Sequence, residues 1–315
     1  MATADIEADE LLFEIPRAIV ICVENSDLPS KLPGLLDDLG AWLSLIVVLI
    51  YEHLKTPDTL WRPYFRVLPP EFDTLIFWSQ AELAELQGSA VGQKIGKDEA
   101  DKMFREHIVP ILRNHPQLFP YPSGIVSYEE LRAQSAVLAM AHTMATLIMA
   151  YGFDLEKDEG MRQIDDEGFM SDDDEDDLPK GMVPLADMLN ADAEKNNVCH
   201  IDDSRLNCHS LTPAQARLFY GKDSLVMRTL TPIRKGEEIL NDYGQLPRSD
   251  LLRRYGYVTD NYGPYDVVEL SADMMIRVAT ESIGMKPTER DTRVSDLPLP
   301  IAEPLLTDFQ ASASQ

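Results

Sequence analysis

The sequence predicts an α+β fold in which a helix-rich middle is flanked by strand-rich ends. Three observations predict it: the alternating, β-rich run "LLFEIPRAIVICV" near the start, helical spacing over residues 33–54 and 128–152, and a change to short strand-like runs after residue 181. In the first run Pro16 has no N–H to give a ladder, which confines the strand to an edge or a bulge. Pro33 stands near the start of the helix that follows. Its apolar stretch "WLSLIVVLIY" reads as a buried helix, being far short of the roughly 20 residues a membrane span needs. "TPDTLWRPYFRVLPPEF" is a proline-punctuated connector whose aromatics Trp61, Tyr64 and Phe65 pin it to the core. "SQAELAELQGS" reads as a helix with Ser79 as N-cap and Gly88 near its end. "DEADKMFREHIVPILRNHPQLF" carries Met103, Phe104, Ile108, Ile111 and Leu112 at helical spacing, an amphipathic helix that Pro110 bends or shortens. His107 on it, and His142 on the long helix through "LRAQSAVLAMAHTMATLIMAY", are read as structural. Further on, "RLNCHS" and "SLVMRTL" are expected as short strands and "TPIRKGEEILNDYG" as a turn and a strand. "VVELSADMMIRVATESIG" is expected as a last helix before a poorly ordered tail.

Charge narrows the choice of partner. Lys and Arg number 28 against 54 Asp and Glu, a net charge of −26 in a chain of 315 residues. Such a surface repels phosphate backbones and favours a basic protein, so nucleic acid is not expected as a partner. A membrane is not expected either. At roughly 150 residues per domain, two units are the natural expectation. Three cysteines cannot staple a chain of this size, which points to a reducing compartment. "MATADIEADE" opens without the basic and apolar regions of a secretory signal, and a soluble intracellular protein is expected. Cys199-His200 and Cys208-His209 repeat a pair, but their gap is not a zinc spacing and no CxxC occurs, so no metal site is expected and facing strand positions are. Residues 154–178 hold 13 acidic residues against Lys157 and Arg162, a net −11. Self-repulsion makes this stretch a disordered surface insertion. It is either a solvated spacer or an acidic lure that raises the encounter rate with a basic partner, and Ser171 within it has the context of an acid-directed kinase site.

The stretch "KGEEILNDYGQLPRSDLLRRYGYV" sets Tyr243 and Tyr255 each before a glycine. Taken alone it allows a packing role, since tyrosine suits strands and glycine ends strands and helices. The order of separated blocks says more. "LLFEIPR", a long helical middle, "GMVPLADMLNADAEKNN", "IRKGEEILNDYG" and "LLRRYGYV" together resemble the SET-domain protein lysine methyltransferases. "PLADMLNADAEKNN" and "TLWRPYFRVLPPEFDTLIFWSQAELAELQGS" place the resemblance in the branch of the fungal ribosomal lysine methyltransferases and their animal SET-domain relatives. It covers residues 1 to about 270.

This resemblance implies small, mostly antiparallel sheets wrapped around a knot-like crossing where "LADMLN" and "NDYG" meet. It divides the chain into a SET domain over 1–258 and the truncated start of a helical substrate-binding domain, with a tail, over 259–315. Within the first lie an N-terminal part (1–24), a helical insert (25–153), the acidic loop (154–180) and a C-terminal part (181–258). The activity implied is methyl transfer from S-adenosylmethionine to a lysine amine of a basic protein, a ribosomal protein in particular. A monomer working in the nucleus, with the cytoplasm as a second location, is expected to carry it out. Tyr243 aligns with the family's catalytic tyrosine. In an in-line displacement the protein must align two atoms, desolvate the amine and favour its neutral form, which a phenol does by hydrogen bonding. Asn190 matches an asparagine that holds the cofactor, and Ala191 stands where the general form has a histidine used through its backbone. Tyr151 matches another cofactor contact, and Tyr255 a position that packs on the cofactor or closes the channel. The glycines after both tyrosines are expected to let backbone pass close by at the crossing.

In the family a Gly-x-Gly turn ahead of the first strand cradles the cofactor, whereas "ATADIEADELLFEIPR" begins after it, and only about 55 residues follow "YGYV". The resemblance therefore implies truncation at both ends: a truncated gene model, a fragment, or a protein that binds cofactor weakly. Two or three backbone hydrogen bonds at roughly 1 to 3 kcal/mol each would account for such weakness. The alternative is a catalytically weak or inactive SET scaffold that holds basic proteins through its acidic surface.

Overall fold

The first predicted strand forms, and it stops at its proline. A computed structural model describes residues 1–55, 58–120, 128–155, 179–193, 198–200 and 223–268, with isolated positions beyond. Among the described residues the β part comprises β1 (Leu11–Pro16), β2 (Gly152–Asp154), β3 (Lys180–Met182), β4 (Val198–His200) and β5 (Ser224–Thr229). Strands β1 and β4 flank β5, all antiparallel, so Pro16 lies on an edge strand where its missing N–H interrupts no ladder. In β5 alternate residues Leu225, Met227 and Thr229 turn inward, the period-2 pattern of a half-buried strand. Leu225 and Met227 meet Ile15, Val20, Val183 and Ile233 in one core cluster.

The expected strand after "TPIRK" is not a strand. Ile233 forms a single antiparallel bridge with Ile6, and Gly236 N–H donates to Ala2 at 2.8 Å. Between them Gly236 takes φ +90° in a turn closed by Glu237 N–H to Arg234 O, which breaks a regular ladder. Strands β2 and β3 form a separate two-stranded sheet, which Ile21 joins through a bridge to Met182.

The helices form the second core. Helix α1 (Gly40–Leu54) starts later than the predicted residue 33, because Gly34 and Gly40 both adopt positive φ and hold 33–39 in turns. Its residues Leu45 to Leu49 are all fully buried, as expected of a helix apolar on every side. The "DEADKMF" helix runs on as α2 (Lys97–Met103), a π turn over Phe104–Ile108, and α3 (Val109–Asn114). Pro110 has no N–H for residue 106 and its ring presses on that carbonyl; widening the preceding turn relieves both. Ser79 caps its helix as predicted, in a reciprocal box with Glu82, though the α-helix closes at Leu83 and continues as a tighter turn over Ala84–Leu86. Helix α4 (Tyr128–Tyr151) lays Ala141, Met144, Ala145 and Ile148 into the same core as α1. No helix among the described residues is long and apolar enough to cross a membrane.

His142 on α4 is 3% exposed, with Nε2 at 2.5 Å from Asp101 on α2 and Nδ1 buried without a partner among the described residues. Burial lowers its pKa below 6.5 against the pull of Asp101, with Lys97 and Arg105 adding to the lowering. Burial alone would raise the Asp101 carboxyl, but the His142 hydrogen bond and the charges of His142, Lys97 and Arg105 hold it below 3.8. Below pH 6.5 the unfolded chain therefore takes up a proton at His142 before the folded chain does, and stability falls with pH. Asp101 adds to that loss only below 3.8. The melting temperature is expected to drop from pH 7 to pH 5, with a shallower slope in His142→Phe. An equal slope in the variant would remove His142 from the account.

The chain divides into the units Met1–Asp266 and Val267–Gln315. Most of the second lies outside the described residues, as do 156–178 of the acidic stretch and the "RLNCHS" strand with Cys208; of the helix predicted from "VVELSADMMIRVATESIG", Met274, Met275 and Val278 are described and are helical. Cys199 and His200 are described and lie in β4 opposite Arg228 and Met227.

Candidate active site

Two segments far apart in sequence meet side by side. Ala191 and Asn241 form a parallel bridge, and Asn241 N–H donates to Asn190 O at 2.7 Å. One residue earlier, Leu189 O accepts the Tyr243 hydroxyl at 3.1 Å. The Asn190 side chain donates to Glu238 at 2.7 Å. "LADMLN" and "NDYG" are thus in contact through their backbones, and Ala191 takes part by its main chain.

The approach to Asn190 is a strained turn. Leu185 has φ +84°, a conformation that side chains other than glycine rarely adopt. It opens a single turn over Ala186–Met188 that carries Asp187 inward. One Asp187 oxygen accepts a short hydrogen bond from the Tyr64 hydroxyl, while the other is buried with no partner among the described residues. Burial pushes the Asp187 carboxyl up to about 6 against that hydrogen bond. Burial, together with the nearby Asp187 charge, raises the Tyr64 phenol far above its usual range.

Asp187, Tyr64 and Trp61 line a cavity of about 570 Å³ together with Tyr151, Met188 and Asn190. Its size is that of a small-molecule site. Tyr151 reaches it from the last position of α4. Behind the Trp61 wall, Glu52 is fully buried and accepts from Ser26 at 2.8 Å and Thr59 at 2.7 Å, with Lys55 Nζ 3.8 Å away. Thr59 in turn accepts from Trp61 N–H, and the indole N–H donates to Ile19 O at 2.8 Å.

Next to Leu189, whose carbonyl Tyr243 reaches, lies a group of tyrosines. Helix α5 (Arg248–Tyr255) ends at Gly256, φ +78°, and sets Tyr255 flat on Tyr243 with ring centroids 4.4 Å apart and planes at 10°. Tyr257 meets Tyr255 edge-on at 6.4 Å. Burial pushes the Tyr255 phenol up to about 12 and Tyr243 further still, so both remain protonated hydroxyls at any physiological pH. The two glycines do different work. A Cβ at Gly256 would stand 3.2 Å from Asp73 O, a close approach, whereas one at Gly244 would meet nothing within 4 Å. Gly244 is required by its φ of +85° alone, which corrects the expectation of a close passage there.

Of the sequence-predicted residues, Tyr151 and Asn190 share the cavity, Tyr243 and Tyr255 stack on each other with Tyr243 bonded to Leu189 O, and Ala191 bridges to Asn241. Trp61 and Tyr64 are buried pins, as read, but they also face the cavity. Asp187 was not singled out, although it stands one turn before Asn190 in "LADMLN". Among the described residues no three His, Cys, Asp or Glu side chains gather as a metal site requires.

A family profile described as the SET domain matches residues 1–244. The chain is 33% identical over 291 residues to ribosomal lysine N-methyltransferase 4 of Saccharomyces cerevisiae, covering 90% of this chain and 53% of that protein. It is 31% identical over 292 residues to N-lysine methyltransferase SETD6 of Homo sapiens, covering 90% and 52%. Among solved structures, the SET domain of LSMT bound to methyl-lysine and AdoHcy superposes with a TM-score of 0.57 at 20% identity, over 83% of this chain and 50% of that one. The chain spans about half the length of the curated relatives it matches. With the profile covering well over half of its residues, the chain belongs to the SET-domain family.

Proposed function

We propose that this chain is the SET part of an S-adenosylmethionine-dependent protein-lysine N-methyltransferase. The observation that carries the proposal is the meeting of a small-molecule cavity and a tyrosine cluster at one backbone crossing, with Asn190 on one side and Tyr243 on the other. The cavity residues fit the cofactor: an aromatic wall from Trp61, Tyr64 and Tyr151, the Asn190 carboxamide, and an unpartnered Asp187 oxygen able to take a hydroxyl or ammonium donor. When bound, the cofactor supplies a methyl group on a positively charged sulfur, which leaves as a neutral thioether. Asp187 and Asn190 would hold its polar parts, and the tyrosine faces would receive the lysine amine. Aromatic faces attract a cation, and the dry surroundings favour the amine that has lost its proton. The Tyr243 hydroxyl, anchored to Leu189, holds the nitrogen lone pair in line.

The net charge of −26 favours a basic protein as substrate. A ribosomal protein is the class we favour, in keeping with the name of the yeast relative, and the nucleus is the location we favour. Incubation with methyl-labelled S-adenosylmethionine and a basic ribosomal protein fraction is expected to label protein at lysine. Asp187→Ala is expected to weaken cofactor binding about tenfold or more by calorimetry, since it removes a buried charged acceptor. Absence of label together with absence of cofactor binding would overturn the proposal.

A further inference from the structure

Tyr64 carries a hydroxyl that packing does not need. It sits on the single helical turn Arg62–Phe65, where Leu68 N–H returns to its carbonyl at 3.3 Å. Its ring is buried beside Phe65, with centroids 6.2 Å apart, and a phenylalanine would fill that place equally well. The oxygen instead donates to Asp187, 123 positions away, on the wall of the same cavity.

That bond does two things to the carboxylate. It occupies one Asp187 oxygen, so the second, buried without a partner among the described residues, is held in one direction. It also favours the charged form: burial pushes the carboxyl up to about 6, and the bond from Tyr64 opposes that rise. The other titratable group facing Asp187 is the Tyr151 phenol, raised by burial and by the Asp187 charge, and so neutral. Among the described residues Asp187 is the one charged side chain lining the cavity. A lone carboxylate between aromatic walls is complemented better by a cation than by a hydroxyl, because charge is weakly screened there.

Resting on the methyltransferase reading, we propose that Tyr64 is a positioning residue: its hydroxyl aims the free oxygen of Asp187 at the ammonium group of the cofactor's amino-acid end. Tyr64 then acts through Asp187 and not by a bond of its own to the ligand, since its one O–H is already committed. Without that O–H the carboxyl is free to turn, and it takes up a proton at higher pH.

The test measures binding by calorimetry between about pH 5 and about pH 8, the range that brackets the Asp187 titration. The two probes are S-adenosylhomocysteine, which has the amino-acid end, and methylthioadenosine, which lacks it but keeps the ribose hydroxyls. Wild-type affinity for S-adenosylhomocysteine is expected to fall as pH drops through about 6. Tyr64→Phe is expected to bind S-adenosylhomocysteine about tenfold more weakly at neutral pH, with its midpoint moved upward by about one pH unit. Its affinity for methylthioadenosine is expected to stay within about twofold, which also shows that the cavity is still folded. In an Asp187→Asn background, Tyr64→Phe is expected to add nothing. Equal weakening of both probes, an unmoved pH profile, or an undiminished effect beside Asp187→Asn would each overturn the assignment. So would a wild type that binds neither probe. A wild type that binds S-adenosylhomocysteine but labels no protein, with the Tyr64→Phe pattern intact, would sink the enzymatic reading and leave this assignment standing.

Discussion

Replacing Tyr243 by phenylalanine is expected to lower methyl transfer about 100-fold or more while leaving cofactor affinity within a few-fold. The phenol is the group nearest the crossing that can orient an amine, and burial keeps it protonated, so it acts as a hydrogen-bonding hydroxyl and not as a base. The change deletes one oxygen. The stack on Tyr255 survives, because a phenyl ring fills the same plane at 4.4 Å. Loss of the bond to Leu189 O is expected to cost about 1 kcal/mol of stability, too little to unfold the chain. Steady-state rates with labelled donor decide the matter, with melting curves as the control for folding. A rate within twofold of wild type would mean that the chemistry does not pass the phenol.

Glu52→Ala is expected to be strongly destabilising. Glu52 is fully buried, and truncation strands the hydroxyls of Ser26 and Thr59 and opens a hole in a packed helix, while Lys55 keeps its nearer partner Asp27 at 3.1 Å. Stranded partners of a buried charged group cost about 3 to 5 kcal/mol, a fall in melting temperature of roughly 10 °C for a domain of this size. The effect reaches the site as well. Thr59 anchors the backbone of Trp61, so a loosened Thr59 is expected to weaken cofactor binding even in molecules that remain folded. Glu52→Gln keeps one acceptor and a donor in the same volume and is expected to lose less than half as much. Equal melting temperatures for wild type and Glu52→Ala would show that the network does not hold the wall.

What could be read in advance was local. The alternation in "SLVMRTL" survives because only one face of β5 is buried, and the Ser79 cap because both partners lie within four residues. The disturbance at Pro110 is legible for the same reason: its cause is the missing N–H of one residue. The start of α1 was misplaced because a glycine at positive φ stops a helix without altering the apolar spacing around it. The "IRKGEEIL" strand was misjudged because its pairing depends on residues near the opposite end of the chain. Asp187 and Tyr64, separated by 123 positions, acquire a chemical role only through each other. The stack of Tyr243 on Tyr255 is also invisible in spacing, since it depends on where α5 ends and how Gly256 turns it against Asp73.

The closure of β1 on β5 joins Glu14 to Ser224, 210 positions apart. On a growing polypeptide β1 is made well before its mate and must wait until some 210 further residues have been synthesised. Contacts of such separation are slow to form, whereas α1 and α4 can collapse on each other as soon as both exist. The assembly order is then helices first and the backbone crossing last, with a β edge awaiting its mate in between.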